Sequence, residues 1–337
     1  MIPHIKVHRL KFFSHGFFPN ILTGVVIMST VRRVLSVVLA VLLCVSCFAA
    51  CGDNSNQTTT TAGSGTSDTA EATGIAAAKS IADLKGMKIA AQTGTFHADA
   101  LTQIEDVKSS TLPDFTELLN AVKSGTIDGY IAEEPTAISA CKMNSDLDYL
   151  HLKNNDTGFT ATAADVGIAI GLKKGSDLLD KMNEVIKGIT EEQKEQLMEQ
   201  IIAVKAGEAV EKFALESEEP ENPTGTLKVA MECAYEPYNW TETSSDTRTL
   251  GAVAISGEGK EGQFANGYDV QVAKYVANKL GLKLEIYSYD WDSLIPALNS
   301  GAVDAIVAGM SPTAERKEQI DFTETYYESN LVVIFKK

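Results

Sequence analysis

The chain has 337 residues, 44% of them hydrophobic and 22% charged, which suits a folded protein with room for about two lobes of roughly 100–150 residues each. Its formal net charge is −16; the first fifty residues hold five basic side chains and no acid, so the remainder stands at −21. A surface that acidic repels nucleic acid and anionic lipid, which removes both from the expected partners.

Arg32 and Arg33 precede an apolar run over 34–45, too short for a comfortable membrane span and the right length for the core of an export signal. Small residues then lead to a cysteine in Phe48-Ala49-Ala50-Cys51-Gly52. This segment resembles a bacterial lipobox, which implies lipidation of Cys51, although leucine is usual where Phe48 stands. An ordinary signal-peptidase site with an incidental cysteine is the other reading. Residues 1–50 are therefore expected to be a signal, with a start at Met28 as the alternative to translation from Met1. Residues 51–75, rich in Ser, Thr, Gly and Asn, bury too little apolar surface to fold and read as a tether. Past Cys51 only Cys141 and Cys233 remain, too few for a disulfide framework and without metal-ligand spacing; no metal and no cofactor are expected.

Ordered sequence begins near Ser80. Ser80-Ile-Ala-Asp-Leu-Lys-Gly86 reads as a helical turn closed by glycine, 88–91 as a strand, and Gln92-Thr-Gly-Thr95 as the lead into a helix from about Ala98. A helix is predicted over 115–122, with Leu118, Leu119 and Val122 on one face and Ser124-Gly125 as its stop. Strands are predicted at 127–132 and 166–172. Ser176 is placed to cap a helix whose apolar positions, Leu179, Met182, Val185, Ile186 and Ile189, keep helical spacing. Thr190 with Gln193 forms a capping box for the next, which carries Leu197, Met198, Ile201 and Ile202. The acidic, proline-bearing stretch 216–225 breaks the pattern and reads as exposed linker. After it come a strand at 227–231, a glycine-rich hairpin across 251–267, a helix over 269–280 stopped by Gly281, and a strand at 283–287. A helix over 291–298, a buried strand at 302–308 and a last strand at 331–335 complete the chain. The alternation predicts α/β lobes with parallel sheets.

One unit occurs twice. Residues 299–316, NSGAVDAIVAGMSPTAER, and residues 123–137, KSGTIDGYIAEEPTA, share the frame Ser-Gly-x-[Ile/Val]-Asp-[Gly/Ala]-x-[Ile/Val]-Ala. Ligands of open α/β sheets sit beyond the carboxyl ends of the strands, and there the two copies diverge in charge. Ala308-Gly309-Met310-Ser311, followed by Arg316, supplies backbone N–H groups, a hydroxyl and a guanidinium fork that suit a carboxylate. Glu133-Glu134 suits an ammonium, and Thr93-Gly94-Thr95 adds donors at the end of strand 88–91. Two facing lobes so equipped form the electrostatic mould of an α-amino acid. Each piece alone has a plainer reading, as a surface arginine, a solvated helix start or a common turn. Their occurrence at equivalent strand ends carries the functional reading.

Met231-Glu-Cys-Ala-Tyr-Glu-Pro-Tyr-Asn-Trp240, the block 290–316 and Ile320-Asp-Phe-Thr-Glu-Thr-Tyr-Tyr327 resemble the type II solute-binding proteins of bacterial polar amino acid ABC importers, over about residues 80–337. The resemblance implies a two-lobed α/β fold of the periplasmic-binding-protein type II (Venus flytrap) kind. It further implies capture of a polar L-α-amino acid by lobe closure and delivery to an ABC transporter permease. Position by position, it puts Tyr235 and Trp291 around the ligand side chain, and Ser311 and Arg316 on its carboxylate with Thr95 from the other lobe. The Gly309 carbonyl and Glu133, where the family usually has aspartate, take its ammonium. Glu232 and Gln92 fall at the side-chain end, which favours arginine, lysine or histidine over glutamine. Ala308 and Phe96 complete the expected site.

The order of the parts departs from the family. The expected division is an acid-bearing lobe at 78–165, equivalent to the family's C-terminal lobe, then 166–206 returning to the other lobe, an acidic linker at 207–225 and an Arg-bearing lobe at 226–337. Circular permutation is one account, with the new termini at an interlobe crossover and a hinge loosened by that cut. A fragment of a tandem pair is the other. A monomer, lipid-anchored on the outer face of the bacterial cell membrane, is expected. Two rival functions stay open: a dehydratase or wall-lytic enzyme on the same fold, and a sensory module. For an enzyme, His97 and His151 are the only histidines after the signal, and no Ser-His-Asp or metal set is visible.

Overall fold

The structure is a computed structural model that describes residues 74–243 and 251–337. The signal, Cys51 and the tether up to residue 73 lie outside the described residues. In chain order the first elements are β1 (Ile89–Gln92), α1 (Phe96–Ala100), β2 (Ser110–Leu112), α2 (Phe115–Ser124), β3 (Gly129–Glu133), α3 (Glu134–Met143) and β4 (Leu147–Leu150). α4 (Ala163–Val166) leads into β5 (Gly167–Leu172), α5 (Leu179–Lys187) and α6 (Glu191–Lys205). Beyond the linker follow β6 (Thr226–Met231), β7 (Ala234–Tyr235), β8 (Asn239–Glu242), β9 (Val253–Ser256), β10 (Phe264–Asn266) and α7 (Tyr268–Lys279). The chain closes with β11 (Lys283–Ser288), α8 (Leu294–Ser300), β12 (Ala305–Ile306), α9 (Ala314–Gln319), β13 (Asp321–Glu328) and β14 (Leu331–Lys336).

The repeated frame has a structural job at each of its fixed positions. Its glycine ends the helix: Gly125 closes α2 at φ 74° and Gly301 closes α8 at φ 80°, a left-handed conformation that glycine adopts without a Cβ penalty. Its aspartate ties the following strand to a neighbour. The Asp128 carboxylate accepts the Lys88 amide at 2.8 Å, and the Asp304 carboxylate accepts the Lys228 amide at 2.9 Å. The same two hydrogen bonds at the entry of β1 and β6 set both copies in equivalent registers. The capping box of α6 also forms, with the Thr190 hydroxyl oxygen accepting from the Gln193 amide at 3.2 Å and the Gln193 side chain accepting from Thr190 at 3.1 Å.

Three local expectations need correction. The helix expected from Ala98 begins at Phe96, because Thr95 already holds the extended N-cap conformation. Ser176 does not cap α5; its hydroxyl oxygen accepts the Leu178 amide in the turn ahead of the helix. Of the strand expected over 302–308, only Ala305–Ile306 pairs in the ladder, since the chain then leaves the sheet for a turn at Gly309 with φ 60°.

The strands form a five-stranded sheet, β2-β1-β3-β14-β4, and a nine-stranded sheet, β13-β5-β12-β6-β11-β9-β10-β8-β7. Neither is wholly parallel. β14 runs antiparallel to β3 and β4, β5 runs antiparallel to β12 and β13, and β8 to β10 form an antiparallel ribbon. Each strand that crosses from one sheet to the other enters against the direction of its neighbours. α5 packs on β13 and α7, and α6 bridges α7 and α3.

β14 also corrects the expected division at 226–337. It lies inside the first sheet, with Val333 opposite Ile131 on one side and Leu150 on the other. Leu331 to Phe335 are all buried, and a strand apolar on both faces needs sheet neighbours on both edges. Both connections between the sheets are therefore covalently intact: 151–166 joins β4 to β5, and Ser329-Asn330 joins β13 to β14. They run side by side, with Glu328 paired to Gly167 and the Ser329 amide donating to the Val166 carbonyl at 3.4 Å. The severed crossover and loosened hinge are thus corrected. The chain end falls past β14, where Lys336 and Lys337 share a hollow with Gly74 and Ile75. With β3 and β4 on its two edges, β14 is expected to exchange its amide hydrogens as slowly as β1 and β3. Loop-like exchange over 331–335, read by mass spectrometry, would contradict that topology.

Candidate ligand-binding site

The carboxyl ends of β1 and β3 meet those of β6 and β12, and the contacts between them draw the two sheets together. The Gln92 side-chain amide donates to Glu232 Oε1 at 2.7 Å, in a buried position. Phe115, at the start of α2, stacks on Tyr235 with ring centroids 4.0 Å apart and planes within 13°. At the outer edge the Trp291 indole N–H donates to the Gly94 carbonyl at 3.1 Å. Arg316 shares that acceptor through Nη2 at 3.1 Å, gives Nη1 to the Ser311 carbonyl at 2.9 Å, and lies 5.2 Å from the Trp291 ring centre. These contacts span the lobes, so the cleft is closed.

The expected site residues converge here, with different partners from those the resemblance implies. Tyr235 takes Phe115 and, at 4.8 Å, Tyr238 as ring neighbours, while Trp291 covers Arg316. The Ser311 hydroxyl donates to the Asp165 carbonyl at 2.8 Å, and the Thr95 hydroxyl to the Gln92 carbonyl at 2.7 Å. Their protons are engaged with backbone oxygen because a buried hydroxyl takes the nearest acceptor. Burial also lowers the Arg316 pKa, against the opposing pull of Glu315 and Asp99. Gly309 must be glycine: at φ 60°, a Cβ there would sit 2.9 Å from the Tyr235 ring. Ala308 is fully buried behind it. Phe96, Thr95, Trp291 and Arg316 line a groove of about 440 Å³. A larger hollow of about 840 Å³, under the linker at Phe213 and Lys274, shares none of these residues.

Two carboxylates from opposite lobes are buried with unmet hydrogen-bonding capacity. Glu133, the last residue of β3, puts Oε1 3.0 Å from His97 Nε2, and its Oε2 has no partner among the described residues. Glu232 Oε2 likewise has none. Burial pushes the Glu232 carboxyl up to about 8; Asp114, Asp290 and Asp292 add to the rise and the Gln92 hydrogen bond opposes it. Behind them lies a network that sequence reasoning missed. Asn239 accepts the Cys233 amide at 2.6 Å and donates to Asp269 at 2.7 Å, and the Tyr326 hydroxyl donates to Asp269 at 2.7 Å. Burial raises Asp269 to about 6, while Tyr326, Asn239 and the Gly309 amide hold it down. Asp269 thereby links the 232–235 and 309–311 loops. Its sequence signal was an acid at the first turn of α7. Phe115 and His97 had none beyond their proximity to expected site residues. Among the described residues, no group of three His, Cys, Asp or Glu is placed to hold a metal ion.

The two sheets and the cleft between them are consistent with the two-lobed α/β fold of the periplasmic-binding-protein type II class. Residues 257–337 match the family "Bacterial extracellular solute-binding proteins, family 3". The chain is 46% identical over 80 residues to the arginine-binding extracellular protein ArtP of Bacillus subtilis (strain 168), covering 24% of this chain and 31% of that protein. It is 34% identical over 108 residues to a probable histidine-binding protein of Campylobacter jejuni, covering 32% and 35%. Among solved structures, an Ancestral Cationic Amino Acid Solute Binding Protein matches at 30% identity with a TM-score of 0.21, covering 28% of this chain and 34% of that one. The chain spans about a third of the length of the curated relatives it matches.

The carboxyl of Glu232 gives a pH test. Its pKa rises from 4.5 in the unfolded chain to about 8 in the fold, so between those values the folded protein holds a proton that the unfolded chain releases. Folding stability must therefore fall as pH rises from 4.5 through 8. Urea midpoints at pH 5 and pH 9 are expected to drop less in Glu232→Gln than in the wild type. Equal drops would mean that Glu232 ionises normally.

Proposed function

We propose that this chain is an extracytoplasmic solute-binding protein that captures a polar L-α-amino acid by lobe closure and delivers it to an ABC importer. The observation that carries this reading is the pair of buried carboxylates, Glu133 and Glu232, one from each lobe and each with an oxygen lacking a donor. An unpaired buried acceptor costs about 1–3 kcal/mol, and a cationic ligand group would relieve it. In this reading Glu133 Oε2 receives the α-ammonium. Arg316 turns from the Gly94 carbonyl to the α-carboxylate, and Glu232 meets the distal end of the side chain. A basic side chain would restore the ionised form of Glu232, which favours arginine, lysine or histidine over glutamine. Two of the matched relatives, an arginine-binding and a probable histidine-binding protein, support the same class, while others carry the names of cystine- and glutamine-binding proteins.

Entry requires Gln92 to part from Glu232 and Phe115 from Tyr235; the ligand's greater affinity for the closed state then drives the lobes together. Further parts of the proposal are lipidation of Cys51 as a membrane anchor, docking of a closed monomer on a permease, and a single circularly permuted domain. The shared hollow of Gly74 and Lys337 supports the last, because it brings together two segments that are consecutive in the family order. Thermal-shift screening against the common amino acids tests the function: at least one basic amino acid is expected to raise the melting temperature. No shift with any of them would overturn it. Arg316→Ala removes a charged hydrogen-bonding pair of about 1.5–3 kcal/mol and is expected to weaken binding roughly 10- to 100-fold.

A further inference from the structure

We propose that His97 is a positioning residue for Glu133, and that capture of an ammonium group at this carboxylate requires a neutral His97 ring. The inference rests on the reading of Glu133 as the ammonium acceptor and adds a regulating residue to it. His97 stands on α1 and Glu133 at the end of β3, with side chains only 8% and 4% exposed. The His97 Nε2 to Glu133 Oε1 distance of 3.0 Å makes Nε2–H the donor. Phe115 meets the imidazole edge-on, at 5.7 Å and 90°, and Phe115 is itself held by its stack on Tyr235. Aromatic packing thus orients the ring, and the ring orients the carboxylate.

The unpaired atoms define which form of the ring fits. Among the described residues, His97 Nδ1 has no hydrogen-bond partner. In the neutral ring that nitrogen is an acceptor; protonated, it would become a buried N–H with nothing to accept it. On the other side, Glu133 Oε2 is the carboxylate oxygen left for a ligand. With His97 neutral, Glu133 is a negative charge that an ammonium can neutralise. With His97 protonated, the carboxylate is already paired, and an arriving ammonium would face an imidazolium. The other groups around the pair do not replace this balance. Tyr238 and Asp269, from the opposite lobe, sense the Glu133 charge and add no cation. On its own helix, Asp99 is coupled to Arg316. Glu232, Asp114, Asp290 and Asp292 form a second acidic group at the side-chain end.

Affinity for an amino acid is therefore expected to fall with acidification, with a limiting slope of about tenfold per pH unit. The test measures L-arginine binding calorimetrically from pH 5.5 to 8 in the wild type, His97→Gln and His97→Ala. Glutamine keeps an N–H donor and does not titrate. Glu232 and Asp269 titrate in all three proteins, so the difference between profiles isolates His97. The expected result is a steeper loss at low pH in the wild type than in His97→Gln, with weak binding at every pH in His97→Ala. Parallel profiles for the wild type and His97→Gln would overturn the proposal. Ring-nitrogen NMR of the ligand-free protein provides a readout without arginine: the proton is expected on Nε2, and Glu133→Gln is expected to shift the ring signals. A ring indifferent to Glu133→Gln overturns the pairing even if arginine binds. An intact pair in a protein that binds no common amino acid overturns instead the ammonium reading, and the pH dependence with it.

Discussion

Everything in the cleft is positioned by two chain crossings that lie side by side. β5 and β13 pair across Gly167 and Glu328, and β14 begins three residues later in the other sheet. The charged strand ends hang directly from this seam. Ser311 is bonded to Asp165 immediately before β5, and the Glu134 amide donates to the Asn330 carbonyl between β13 and β14 at 2.9 Å. Rotation about the seam moves Arg316 and Glu133 relative to each other while keeping each near the axis.

The closed cleft is stabilised by contacts that run between the two lobes. Stacking of Phe115 on Tyr235 and the Gln92–Glu232 hydrogen bond close it from within, while Trp291 and Arg316 close it at Gly94. Against them stand buried acids without full partners, of which Glu232 relieves its burial by holding a proton near neutral pH. In the proposed function, a cation-bearing ligand would supply the donors that these acceptors lack.

Much of the local structure was legible in the sequence because it depends on neighbours within a few residues. The Ser-Gly stop, the Thr190–Gln193 box, the hairpin at 251–267 and the strand ends bearing Glu133 and Arg316 all follow from short-range geometry. The destination of β14 was not legible. The run Leu331-Val-Val-Ile-Phe335 announces a doubly buried strand, but its partners lie some 200 residues away, at 129–133 and 147–150. For the same reason, neither the stack of Tyr235 on Phe115 nor the reach of His97 to Glu133 was legible. Both contacts depend on where elements from distant parts of the chain are brought together. The hydroxyls of Ser311 and Thr95 were identifiable as site residues by position, while their bonds to backbone oxygen depend on the closed geometry.

The central claim is that one chain supplies both charged jaws for a single zwitterion. Calorimetric stoichiometry with the amino acid giving the largest thermal shift, on protein whose mass is measured by light scattering in the same buffer, tests it most directly. The expected result is one ligand per chain in a monomer. Binding only in a dimer whose lobes are exchanged between copies, or one ligand for every two chains, would contradict it.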